Sequence, residues 1–125
     1  MSVKATPAAL ESRMIDFGSA VCEAVRRLPD DFVGSHLGRQ LVRSGTSPAA
    51  NCAEARGAES RRDFVHKMQI CLKELRETLV WLRFARRVGG REVDVTGLEH
   101  ECNQLVSIFV QSVKTARVGN RRPGT

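Results

Sequence analysis

Four times along this chain apolar residues recur at steps of three and four, and nowhere do they alternate at a step of two. That repeat is the angular period of an α-helix with one apolar stripe, and it excludes a sheet as the framework. The first stripe is Leu10, Met14, Phe17, Val21, Val25 and Leu28. It predicts a helix over 7–28 that opens on Thr6-Pro7 and ends before Pro29. The third stripe is the longest, with Phe64, Met68, Cys71, Leu72, Leu75, Leu79 and Leu82 on one face of a helix over 61–88. Ser60 with Asp63 three residues on gives it a capping box, and Gly89-Gly90 stops it. At 1.5 Å per residue it is about 42 Å long. The fourth stripe is Leu98, Cys102, Leu105, Val106, Phe109, Val110 and Val113. Its helix starts at Thr96-Gly97-Leu98-Glu99, again spaced as a capping box, and fades near Arg117.

The second segment, 33–56, admits two readings. Leu37, Leu41 and Val42 begin a stripe that Gly45-Thr46-Ser47-Pro48 interrupts. Local propensity predicts two short helices, the second capped by Ser47 with Pro48 at its start. The other reading is one helix kinked at Pro48, where the ring removes a backbone donor.

Four such helices on short connections predict an all-α fold, an antiparallel up-and-down four-helix bundle. The 125 residues suit one domain, expected over 1–117, with a flexible basic tail over 118–125. Trp81, Phe84, Val88 and Ile108 lie off the main stripes and widen the apolar arc. They are candidates for an oligomer interface, although a greasy monomer surface reads the same pattern.

Several function classes fall away. Glu11, Arg13, Asp16 and Glu23 interrupt the first apolar stretch, so no signal-peptide core is expected. No apolar run approaches the ~18 residues that span a bilayer, so no membrane partner is expected and the chain reads as cytoplasmic. Cys22, Cys52, Cys71 and Cys102 never come as C-x-x-C and read as small buried hydrophobes. A di-iron bundle needs two Glu-x-x-His motifs. The nearest approach is Asp63-Phe64-Val65-His66, which has no twin. His36, His66 and His100 read as solvated or capping side chains, and Gly45-Thr46-Ser47 lacks the lysine of a phosphate loop. No catalytic residue, metal or cofactor is expected, and a metal-dependent enzyme is only a remote alternative.

Two polar features remain. Gln40, Arg43, Ser47, Asn51 and Glu54 follow one another at steps of three and four, so a continuous second helix would carry them on one face. Glu74 and Glu77 on the third helix are within reach of Arg43 across an antiparallel pair. The set reads first as a network that fixes helix register and second as a binding cleft. The other feature is charge. The net +6 is concentrated in residues 59–90, which hold eight cations against four acids. Arg83, Arg86, Arg87 and Arg91 cluster near the end of the third helix, and Arg117, Arg121 and Arg122 follow at the C-terminus. These seven are candidates for backbone-directed nucleic-acid binding. No aromatic interleaving for base stacking is evident, and no helix-turn-helix or zinc finger is present.

The stretch QLVRSGTSPAANCAEA, followed by ESRRDFVHKMQICLKELRETLVWL, resembles the four-helix bundle family associated with intervening sequences of bacterial 23S ribosomal RNA genes, sometimes labelled a ribosomal protein. Arg43, Ser47, Asn51, Glu54, Glu74 and Glu77 fall on its structural motif, and Glu54-Ala55 stands where many relatives have Glu-Gly. The resemblance implies one kinked second helix and a ring-shaped homo-oligomer, a homopentamer. Related accessory variability proteins of retroelements form such rings and bind nucleic acid and a reverse transcriptase through basic surfaces. The partners so implied are further copies of this chain, RNA or DNA, and a protein partner. The resemblance implies no catalytic residue.

Overall fold

Each stripe becomes one helix, because a stripe of this width leaves water only by facing other stripes. The structure, a computed structural model, describes residues 6–89 and 93–120. They form α1 (Pro7–Val25), α2 (Phe32–Arg56), α3 (Arg61–Val88) and α4 (Thr96–Asn120). Neighbours run antiparallel: Glu11 meets Arg56 and Gly18 approaches Gly45 between α1 and α2, and Cys71 meets Pro48 and Lys67 meets Glu54 between α2 and α3. Between α3 and α4, Leu75 meets Cys102 and Arg86 meets Glu99. The fourth pairing, α1 with α4, is the sparsest. A forked ion pair closes it, with Arg13 Nε and Nη2 donating to Glu101 at 2.8 and 2.7 Å. The hydrogen bonds from Arg13 hold the Glu101 carboxyl below its ordinary pKa.

Met14, Phe17, Val21, Leu41, Leu75, Leu82, Leu105 and Phe109 fill the core. Burying one such side chain stabilises the fold by roughly 1.5–3 kcal/mol. Val93 and Val95, in the α3–α4 connection, are also buried and plug one end. Cys52, Cys71 and Cys102 are buried and Cys22 is partly so. Burial pushes the Cys71 and Cys102 thiols up to about 12, which leaves them protonated and unreactive.

The helix ends refine the sequence reading. Thr6 caps α1 as expected, accepting from Ala9 N at 3.0 Å. But α1 stops at Val25, three residues early, because Arg27 N and Leu28 N bond to Ala24 and Val25 carbonyls in tighter turns ahead of Pro29. Ser60 caps α3 by accepting from Asp63 N at 3.0 Å. The capping box expected at α4 does not form. Asp94 accepts from Thr96 N instead, and Glu99 accepts from Arg86 at 2.9 Å. Helix α4 continues to Asn120, past the expected fade at Arg117, with Ala116 buried in its last turns. Residues 118–120 of the expected tail are therefore helical, and 121–125 lie outside the described residues.

Helix α2 is one helix through Pro48. Local propensity loses to packing on both sides. Gly45 is buried against Val21 of α1, and Pro48 is fully buried with its carbonyl 3.6 Å from the Cys71 thiol of α3. The residues that look like a break are those that let α2 sit between two neighbours.

Candidate functional site

Continuity of α2 puts its polar residues on the face toward α3, and the expected cross-helix pairs form. Arg43 reaches Glu74 at 3.4 Å and also hydrogen-bonds Glu77 and, at 2.9 Å, Gln40. On the buried side of these residues the hydroxyls of Ser44 and Thr78, both fully buried, lie 2.9 Å apart. Thr78 also donates to the Glu74 carbonyl at 2.8 Å. A hydroxyl carries one proton, so Ser44 is the donor between the two. Asn51 donates to the Ser47 hydroxyl and carbonyl, and Lys67 pairs with Glu54 at 3.1 Å. Arg43, Glu54, Glu74 and Glu77 thus pair between α2 and α3, whereas Ser47 and Asn51 bond each other within α2. Every one of these groups has an internal partner, so the seam is built to hold register and offers little free chemistry.

The seam extends upward through Trp81. Its indole N–H donates to Glu77 at 3.1 Å, and its ring meets His36 edge-on at 5.6 Å and Phe84 at 5.7 Å. Trp81 is held by both hydrogen bond and packing.

The outer face of α3 is different. Lys73, Arg76, Val80, Arg83 and Arg87 are exposed at steps of three and four, so they run in a stripe about 21 Å long. Among the described residues none of these four cations forms an ion pair. Arg86, grouped with Arg83 and Arg87 by the sequence, turns to the α4 side and is bound by Glu99. Arg117 is exposed at the opposite end of the bundle, next to Ala116, which lines a groove with Ser60 and Phe64. Arg91, Arg121 and Arg122 lie outside the described residues. Of the seven arginines singled out, Arg83 and Arg87 stay together and unpaired.

The four interface candidates also divide. Trp81 and Ile108 are partly buried against the protomer's own core, whereas Phe84 is 50% exposed and Val88 is exposed. Among the exposed apolar residues that the sequence does not single out are Phe32, at 87%, and Val33. Both fall off the α2 stripe directly after the Asp31 cap, and that position was the available signal. Lys73 and Arg76, which the sequence places beside Glu74 and Glu77, belong to the exposed stripe. Phe84 borders this stripe on its α2 side. Among the described residues no three His, Cys, Asp or Glu side chains gather as metal ligands, and no helix is long and apolar enough to cross a membrane.

The family model described as 23S rRNA-intervening sequence protein matches residues 10–111. A solved structure from Bacteroides thetaiotaomicron, described as a protein with unknown function from the S23 ribosomal protein family, is 28% identical and superposes with a TM-score of 0.75. The match covers 86% of this chain and 97% of that one. No curated protein matches the chain.

Proposed function

The chain belongs to the 23S rRNA-intervening sequence protein family, and from that premise we propose that it is a non-catalytic, homo-oligomeric scaffold that binds nucleic-acid backbones along the outer face of α3. The observation that carries the reading is the stripe of Lys73, Arg76, Arg83 and Arg87 with no carboxylate partner among the described residues. Six other cations, Arg13, Arg26, Arg43, Arg56, Lys67 and Arg86, have an acid within 4 Å. Arg27, Arg39, Arg61, Arg62, Lys114 and Arg117 also lack one among the described residues, and α3 is set apart by carrying four such cations in one stripe. A row of unpaired cations at helical spacing neutralises phosphates well and carries no base code of its own.

Self-association fits the exposed apolar end formed by Phe32, Val33 and Val88, the last two flanking one small cleft. The family resemblance favours a pentameric ring, which would repeat the stripe in every subunit and multiply its field. Arg121 and Arg122, outside the described residues, add to the positive charge of the sequence. A cytoplasmic setting agrees with four unpaired cysteines.

Binding of a mixed-sequence RNA, followed by anisotropy as salt rises, tests the reading. Four phosphate contacts predict that affinity falls with a log–log slope of about −3. Changing the four cations to Gln should flatten it. Affinity that is absent at low salt, or indifferent to salt, refutes the proposal. The Phe32 end supports a second reading, a protein adaptor with no nucleic-acid role. A pulldown that loses every partner on nuclease treatment counts against it.

A further inference from the structure

The outer face of α3 is not purely ionic. Turning about 100° per residue, the helix brings Lys73, Val80, Phe84 and Arg87 within about 60° of one another, with Arg76 and Arg83 flanking on the α4 side. Phe84 therefore borders the cation row on its α2 side, one turn from Val80 and within a turn of Arg83 and Arg87 along the axis. It is half exposed, and its inner side leans on Trp81 at 5.7 Å. Trp81 is itself fixed by Glu77 and His36. The nearby acids are occupied, Glu74 by Arg43 and Glu77 by Arg43 and Trp81.

We infer that this face takes single-stranded nucleic acid, with a base stacked on Phe84 and the adjoining phosphates held by Arg83 and Arg87 while Lys73 and Arg76 track the strand onward. The inference rests on the nucleic-acid reading above and specifies its substrate. A duplex presents phosphates and keeps its base faces covered, so it gains from the cations and nothing from Phe84. An unpaired strand gains from both, because every base offers a face that stacks on an aromatic ring. A two-fold dimer through this face would set cations against cations. A ring joins unlike faces, so the sedimentation readout separates a ring contact at Phe84 from a nucleic-acid contact.

Trp81 is the single tryptophan of the chain, so its emission reports on this spot alone. The full chain at low salt is titrated with oligo-uridylate, oligo-thymidylate and a duplex of equal length, reading Trp81 emission and anisotropy together. Both single strands should quench Trp81 and bind tighter than the duplex, and their ratio distinguishes RNA from DNA as the preferred strand. Phe84→Ala should weaken single-strand binding by about tenfold, leave duplex binding unchanged and abolish the preference, while Phe84→Tyr restores it. Circular dichroism verifies that each variant is folded. Equal binding of duplex and single strand, without quenching and without response to Phe84→Ala, overturns the inference and leaves the backbone-binding reading standing. A Phe84→Ala protein that sediments as a smaller particle with unchanged oligonucleotide affinity also overturns it and assigns the residue to contact between copies. Failure of every oligonucleotide to bind removes both readings together.

Discussion

Helix α2 is held on its two sides by opposite means. Toward α1 it presents Gly38 and Gly45, and α1 answers with Gly18, so the backbones come close enough that a Cβ on Gly18 would lie 3.0 Å from the Gly45 carbonyl oxygen. Toward α3 it presents the Ser44 hydroxyl, Arg43 and Glu54, which pair across the seam with Thr78, Glu74 and Lys67. Register on the α1 side is set by shape, where a slip meets steric overlap. Register on the α3 side is set by hydrogen bonding, where a slip strands polar groups. Shape specifies position without leaving chemistry at the surface. The polar seam reaches solvent, and beside it stands the face that could meet a ligand.

The contrast can be broken by substitution. Gly18→Leu should cost the most, about 3 kcal/mol, because the added side chain meets backbone that cannot move aside. A chemical denaturation midpoint equal to wild type would show that the α1–α2 approach is not tight. Next comes Thr78→Val, at about 2 kcal/mol, since it strands the buried Ser44 donor. Ser44→Ala should cost less, because Thr78 keeps its bond to the Glu74 carbonyl. The reverse order in paired melts would move the shared proton to the other oxygen. The smallest effect is expected for Arg43→Ala, about 1 kcal/mol. Its side chain is 51% exposed, so solvent screens most of the attraction, although Glu74 at 15% is left with less compensation. Added salt should shrink that difference and leave the Gly18→Leu deficit unchanged, a contrast that separates the two seams directly.

Much of this arrangement was legible in the sequence. Stripes at helical spacing gave four helices and their facing surfaces, and Arg43 found the two glutamates that the spacing offered it. Pro48 misled local reasoning, because nothing within ten residues of it reveals that Val21 and Cys71 press on α2 from either side. The arginine cluster misled it differently. Arg83, Arg86 and Arg87 are neighbours in the chain, yet a helix turns about 100° at each step, so Arg86 faces Glu99 while the other two face water. Phe84, taken with Trp81 as one apolar pair, separates from it because Trp81 has a hydrogen-bonding N–H that draws it into the seam.

By itself the sequence determined the class of fold, since a 3.6-residue apolar period can be satisfied only by helices whose stripes face one another. The tertiary structure decided which cations stay free, which aromatic remains uncovered and whether α2 breaks. Each of these depends on what the neighbouring helix supplies at that height, and burial and pairing are properties of two surfaces in contact, not of either strand of residues alone.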